Sequence, residues 1–514
     1  MSKYYLLGID IGTYESKGVI TDGSGGVITS CSVGHGLEMP KPGWAEQDAV
    51  KIWWHDFVEL SRRLLTTGAV NPKQIIGIGV SAIAPCVLPV DREGRSLRPG
   101  ILYGIDTRAL REIALLEKIL GKETIFNYGG FDLSSQHAGP KILWIRNNEP
   151  EVWSKTNMIL TASGYLAYKL TGQYTIDYYT ASTYAPLFDS NRLCWSAESA
   201  KPVIELEKLP RLCWSTEVVG TVTSEAENET GLVCGTPVVA GTADAASESL
   251  SAGLSKPGDL MVMYGSSIFF ILRTKERIKS RRFWGSIFIE DKVYVLTGGM
   301  STAGSLTRWF RDQFAEAEVG REKSGGENAY AALARLVRSS PLGSNGVIVL
   351  PYFYGERTPI HDPDARGLIF GLTLKSSRSD IYRAVLEALG YGIRHNIDEM
   401  KKDGGDPGRI LAVGGGTKNA EWMQIVSDIA GIEQCLPDNQ LGACYGDAFL
   451  AGIGVGLFPS TAAVTDWVHV KDVVKPAGER HLAYKPYYEM YQELYLQTAP
   501  IMHRVSLLQK QAGF

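Results

Sequence analysis

The sequence predicts a two-domain α/β protein whose halves each open with a strand, a glycine-hydroxyl turn and a second strand, with one ligand site between them. Three observations carry this reading. At 514 residues the chain exceeds one ordinary hydrophobic core. Strand-like and helix-like periodicities alternate along both halves. Three strand ends also run into turns of one style, at Gly12-Thr13, at Gly265-Ser266-Ser267 and across residues 414–419.

In order along the chain, strands are expected at residues 4–9, 18–22, 74–80, 87–90 and 238–240, and helices at 49–65, 107–119, 139–147 and 164–170. The second half begins again in the same manner, with strands at 259–264, 268–272 and 293–297, a long amphipathic helix at 380–400 and a strand at 409–413. This recurrence suggests a duplicated architecture, although sequence identity between the halves is too faint to prove a repeat. We place the boundary at residue 250, giving domains 1–250 and 251–514. Near the C-terminus, Tyr484, Tyr488, Tyr491 and Tyr495 share one helical face, and core packing accounts for them.

Composition narrows the function. With 44% hydrophobic residues, 21% charged residues and a net charge of −4, the chain is neither disordered nor shaped for nucleic acid. The densest basic stretch, Arg273 to Arg282, reads as a solvated face. Seven cysteines without a CxxC pair suggest neither a disulfide framework nor a zinc site. No leader and no stretch of roughly 18 apolar residues is present, so a cytoplasmic protein without a membrane segment is expected.

A strand-like run at 238–240 breaks into Gly241-Thr242-Ala243-Asp244, and a helix-compatible stretch follows. Ligand chemistry in open α/β sheets sits outside the carboxyl ends of strands, which makes Asp244 a candidate catalytic base; taken alone, an Asp before a helix is more often a helix cap. Glycine permits close backbone approach at the three turns, and their amides and hydroxyls form an anion cradle. Asp10 beside Gly12-Thr13 would repel a phosphate unless it holds Mg²⁺, directly or through water. Lys17 adds a positive charge near the same turn. GxxxxGK, GxGxxG, HExxH and GxSxG patterns are all absent. What remains is an ATP site built from turns in two domains, the logic of the ribonuclease-H-like actin, hexokinase and Hsp70 type of fold.

The segment Pro351-Tyr352-Phe353-Tyr354-Gly355-Glu356-Arg357-Thr358-Pro359, continuing through Asp362 to Gly367 and Gly371-Leu372, resembles the signature of the FGGY carbohydrate kinases. Asp10 to Thr13, Pro42 to Asp48, Gly241 to Asp244, Tyr264-Gly265-Ser266, Gly414-Gly415-Gly416 and Leu441-Gly442-Ala443 extend the resemblance over nearly the whole chain. It implies ATP-dependent phosphorylation of a sugar or polyol hydroxyl, with Asp244 as base and Asp10 at the Mg-ATP site. It further implies phosphate contacts at Gly12, Thr13, Lys17, Gly265 and Ser266, nucleotide contacts at Gly304, Gly415 and Asn419, and substrate contacts at Trp44, Asp106, Arg108 and Gln136. A homodimer is implied only in this way.

The resemblance is nearest to the xylulokinases, so a ketopentose is the expected substrate, with glycerol, erythritol or gluconate as alternatives. Where glycerol kinases carry Arg-Glu and xylulokinases Met-His, this chain has Ala84-Pro85, which weakens both named substrates. Tyr14-Glu15 also replaces small hydroxyl residues of the glycerol kinases. A catalytically weak sugar or nucleotide sensor is the competing class, and retention of both Asp10 and Asp244 speaks against it.

Overall fold

The computed structural model describes residues 4–438 and 441–512. Among them, the first half contributes β1 (Tyr5–Ile11), β2 (Glu15–Asp22), β3 (Val27–Gly34), β4 (Ile75–Ala82), β5 (Val218–Thr221), β6 (Pro237–Val239) and β7 (Thr242–Ala243) to one sheet. Their order is β5-β6-β4-β1-β2-β3, with β7 paired to β4. Every residue of β1 is buried, as a central strand covered on both faces requires. β1 pairs antiparallel with β2, β2 antiparallel with β3, β1 parallel with β4, β4 parallel with β6, and β6 antiparallel with β5.

The second half repeats that succession. Its strands are β8 (Asp259–Tyr264), β9 (Ile268–Thr274), β10 (Trp284–Ile287), β11 (Tyr294–Met300), β12 (Arg409–Val413), β13 (Gln434–Pro437) and β14 (Val470–Val474), ordered β10-β11-β9-β8-β12-β13-β14. β8 to β9 and β9 to β11 are antiparallel, β8 to β12 and β12 to β13 parallel, and β13 to β14 antiparallel. The same order of pairings in two stretches without evident sequence identity is a duplicated ribonuclease-H-like architecture.

Helices cover the sheets where apolar stripes demand it. In the first half α1 (His55–Thr67) buries Phe57, Leu60 and Leu64, and α2 (Asp244–Ser251) follows β7 directly. In the second half α3 (Gly304–Phe314) packs on α4 (Arg378–Lys402), whose start carries a reciprocal Ser377 and Asp380 capping box. α5 (Ala443–Gly454) crosses back to lie on β1, β4 and α2. The approach is so close that a Cβ on Gly8 would stand 1.9 Å from the Cys444 carbonyl oxygen, and one on Gly79 would stand 2.0 Å from that of Asp447. Only glycine fits there.

α6 (Gly478–Gln511) buries Tyr484, Tyr488 and Tyr491 as expected, with Tyr495 packed beside them. No helix among the described residues is long and apolar enough to cross a membrane.

Three expectations are corrected. The helix expected at 107–119 begins at Leu110, because the Asp106 carboxylate takes the Arg108 backbone and side-chain N–H groups and holds that segment in a turn. The helix expected to start at residue 49 opens with a wider π-type turn, Ala49–Trp54, before α1 begins. The basic stretch from Arg273 to Arg282 is not a solvated face but a clasp between the halves. Arg277 donates to the Tyr128 and Gly129 carbonyls and to Asn191, Lys279 to the Asn127 carbonyl, and Arg281 to Asp132 and Glu123.

Candidate active site

The β1-β2 hairpin places Asp10 directly opposite Lys17, and the Gly12 amide closes the turn on the Glu15 carbonyl. Thr13 Oγ1 lies 3.1 Å from the Tyr103 hydroxyl, and its carbonyl accepts from Gln47. Lys17 pairs with Glu15 at 3.3 Å. Burial works to lower the lysine's pKa, but Glu15, then Glu248 and Asp10, outweigh it and hold the ammonium charged. The departure noted at Tyr14-Glu15 thus has one visible effect, since Glu15 supplies the partner that holds Lys17 at the turn.

Asp244 is the first residue of α2, and Ala243 takes the N-cap position. The Asp244 carboxylate accepts the Ala245 amide at 2.7 Å and makes no cap bond further along the helix. It faces a cavity of about 100 Å³ walled by both halves. Ala84, Pro85, Phe131, Gln136, His137 and Ser182 come from the first half, and Phe269, Trp284, Ser286, Thr297 and Arg357 from the second. Burial lifts the Asp244 carboxyl to about 6, with the Ala245 amide opposing. His137 is driven down to about 3 by burial and by Lys141, so it is neutral at working pH. Its Nδ1 accepts the Ser134 amide at 2.9 Å, which leaves Nε2–H as a donor on the cavity wall.

Behind Asp244 lies a carboxylate hub joining three elements. Ser81, on β4, donates 2.9 Å to Asp10 and approaches Asp447 of α5 at 2.7 Å, and Ser247 of α2 donates to the other Asp447 oxygen. Burial, then Asp244 and Asp447, push Asp10 well above the usual carboxylate range. Glu248 is lifted to about 7 by burial, with Lys17 opposing and Asp244 adding. Four carboxyl groups, Asp10, Asp244, Glu248 and Asp447, thus sense one another electrostatically, with the Lys17 ammonium beside them.

Among the described residues no three acidic, His or Cys side chains converge to hold an ion alone. Asp10 and Glu15 are the carboxylates flanking the Gly12-Thr13 turn, and Mg²⁺ is commonly bound through one or two carboxylates together with phosphates and water.

The hub has a measurable cost. Because Glu248 titrates near 7 in the folded chain rather than near 4.5, its contribution to stability is complete below about 4.5 and lost as pH rises through 7. Glu248→Gln is therefore expected to gain about 1–3 kcal/mol over the parent near pH 8 and progressively less towards pH 5. Urea melts at the two pH values check this, and parallel stability curves would contradict it.

A second cavity, of about 540 Å³, lies within the second half. Gly265, Ser266, Gly304, Gly415 and Asn419 all line it, joined by Arg308, Asn328, Tyr330, Lys418 and Trp422. The Gly304 amide bonds the Gly265 carbonyl, and a Cβ at Gly304 would stand 2.6 Å from that oxygen. Turn and α3 are thereby pressed together. Asn419 caps the helix Ala420–Ala430 through the Trp422 amide.

Trp44, Asp106 and Arg108, expected at the substrate, do not line the Asp244 cavity. The Asp106 and Arg108 side chains are fully buried against each other, with Arg108 also reaching Glu46 and Asp106 accepting the Ala45 amide. The Arg108 guanidinium lies 3.9 Å over the Trp44 ring, and Trp144 meets that ring edge-on. Their charge and stacking capacity is spent on one another. Of the substrate contacts expected beside Asp244, Gln136 is the one on the cavity wall. Sequence reasoning gave no site role to His137, Trp284, Arg357, Glu248, Ser81 or Asp447; Asp447 carried a local signal, as the one charged residue in the otherwise neutral α5, and Arg357 lay within the signature segment.

The duplicated ribonuclease-H-like fold matches that of a solved carbohydrate kinase. The chain belongs to the FGGY family of carbohydrate kinases, whose N-terminal domain matches residues 5–251 and whose C-terminal domain matches residues 260–455. It is 30% identical to a xylulose kinase of Staphylococcus epidermidis over 97% of this chain and 98% of that protein. It is 29% identical to a gluconokinase of Bacillus subtilis over 90% of each. Its fold matches the crystal structure of xylulose kinase from Rhodospirillum rubrum with a TM-score of 0.88 at 29% identity, covering 97% of this chain and 100% of that one.

Proposed function

We propose that this carbohydrate kinase moves the terminal phosphoryl group of ATP onto a hydroxyl of a ketopentose. The observation that carries the reading is the Asp244 cavity, a small chamber with a carboxylate raised to about 6 and hydroxyl, amide and imidazole groups around it. Phosphoryl transfer needs mainly in-line positioning and charge neutralisation. In this reading Asp244 takes the proton of the attacking hydroxyl, and Gln136 and His137 hold the sugar. Gly12, Thr13, Lys17, Gly265 and Ser266 meet the phosphates, while Gly304, Gly415 and Asn419 line the nucleotide. Asp10 would hold Mg²⁺, which when bound would neutralise phosphate charge. Residues 1–250 then form the sugar-side domain and 251–514 the nucleotide-side domain, with α5 reaching back across the boundary.

A ketopentose is supported by the similarity to the xylulose kinases of Staphylococcus epidermidis and Rhodospirillum rubrum. The second reading, a sugar acid, is supported by the similarity to the Bacillus subtilis gluconokinase. With Ala84 and Pro85 on the cavity wall, no side-chain hydrogen-bonding pair stands there to reject analogues, and modest selectivity is expected. ADP release measured across xylulose, ribulose, erythrulose, glycerol and gluconate tests both readings. The highest kcat/KM is expected with a ketopentose. Gluconate as the best substrate would favour the second reading, and a preference for xylulose or glycerol beyond about 10⁴-fold would show that other residues enforce specificity.

A further inference from the structure

Arg357 is the one cation among the described residues on the wall of the Asp244 cavity, His137 being neutral. It comes from the second half, within the segment that carries the family signature. Its Nη2 donates to the carbonyl oxygens of Met300 at 2.8 Å and Ile268 at 3.2 Å. Those carbonyls mark the end of β11 and the start of β9, and Ile268 follows directly on the Gly265-Ser266-Ser267 turn, whose first two residues line the larger cavity. The guanidinium is thus pinned from behind at the boundary between the two cavities.

Burial works against its charge, and the adjacent Glu356 and then Tyr103 favour it. The neighbouring Glu356 carboxylate turns to the Ser301 and Arg357 backbone amides at 2.6 and 2.8 Å, and the guanidinium forms no ion pair among the described residues. Across the cleft, Arg357 and the Tyr103 hydroxyl are close enough to feel each other electrostatically, and that hydroxyl contacts Thr13 in the first phosphate turn. Asp244 and this fixed cation therefore share one cavity wall, with the turn at Gly265 following the backbone that pins the cation.

We propose that Arg357 is a catalytic residue that contacts the phosphoryl group in flight and stabilises the charge on its equatorial oxygens. This rests on the kinase reading above. In the step it serves, the substrate oxygen forms a bond to the γ-phosphorus and the bond to the β-γ bridging oxygen breaks. The hydroxyl proton passes to Asp244, and ADP departs with the bonding pair. A guanidinium suits the task because its planar fork meets phosphoryl oxygens in pairs and its charge persists at any working pH. The alternative, recognition of a substrate carboxylate, explains less, because the guanidinium is anchored beside the nucleotide turn.

The test combines Arg357→Met, Arg357→Lys and Arg357→Ala, with kcat, sugar KM, ADP affinity and melting temperature read for each. Arg357→Met is expected to lower kcat by about 10³-fold or more, as for other arginines that act on a transferring phosphoryl group, with ADP affinity and sugar KM near parental. Arg357→Lys should recover only part of that loss, and guanidinium ion below denaturing concentration should raise the rate of Arg357→Ala. A kcat within tenfold of the parent, with the loss confined to sugar KM, would overturn the proposal in favour of substrate recognition. Loss of ADP binding and of melting temperature in all three variants would overturn it in favour of a loop anchor. If the unaltered chain phosphorylates no sugar, the kinase reading falls and the proposal with it; if it is active and Arg357→Met matches it, the proposal alone falls.

Discussion

Asp244→Asn is expected to lower kcat by about 10²- to 10⁴-fold, the span that a positioned general base contributes. Asparagine keeps the shape, and its carbonyl can still accept the Ala245 amide that Asp244 takes at 2.7 Å. Because Ala243 holds the N-cap position, the substitution removes no cap, and melting temperature should stay near parental. What is lost is the basic lone pair. Nucleotide affinity should change little, since Asp244 faces the smaller cavity. The parent should also show an acidic limb. A base must be deprotonated to act, burial lifts this one to about 6, and kcat/KM should therefore fall about tenfold per unit once pH drops below 6 and be flat above it. Turnover of the Asn variant close to the parent's, or a parent profile unchanged down to pH 4.5, would remove Asp244 from the role of base.

Asp10→Asn is expected to raise the magnesium needed for half-maximal activity by about 10²-fold, at the upper end of what even an outer-sphere partner of a metal contributes. The amide still fits beside Ser81, so folding should be largely preserved. Because burial, Asp244 and Asp447 all raise the Asp10 pKa, protons should compete with metal there more strongly than at an ordinary carboxylate. The parent's magnesium requirement should accordingly increase as pH falls, and the Asn variant should lose that dependence. Magnesium titrations at two pH values read both effects, and overlaying curves for parent and variant would show that Asp10 has no part in metal use.

The elements that proved readable from sequence are those whose signal is local. A run such as Tyr5 to Ile11 states burial on both faces in its own composition, and the turns at Gly12 and Gly265 announce themselves by residues with few other uses. The strand expected at 409–413 is observed at Arg409–Val413, and the helix expected at 380–400 runs from Arg378 to Lys402. The carboxylate hub behaves differently. Ser247 and Asp447 meet across 200 positions, and nothing near either residue names the other.

Trp44 and Arg108 lie off the wall of the Asp244 cavity. Their types suit a sugar site, but local sequence does not reveal which face a side chain presents, and Arg108 pairs with Asp106 and Glu46 while lying over the Trp44 ring. The basic stretch ending at Arg282 misled for a related reason, because alternating charge on a solvated face and charge spent on a facing loop look alike until that loop, at residues 127–132, is in place.

The seating of α5 against β1 and β4 constrains the order in which the molecule can be made. The first sheet is complete in strands once residue 243 has left the ribosome, yet the helix that covers its inner face lies some two hundred residues further along the chain. At roughly 5–20 residues per second the nascent chain carries that uncovered apolar face for about ten to forty seconds, open to chaperones or to a neighbouring copy. The glycines at positions 8 and 79, which let two backbones touch in the finished molecule, leave bare main chain during that interval. Expression yield at high temperature therefore reports on a waiting time written into the topology, and a truncated product ending before residue 443 is expected to aggregate instead of folding as a shorter domain.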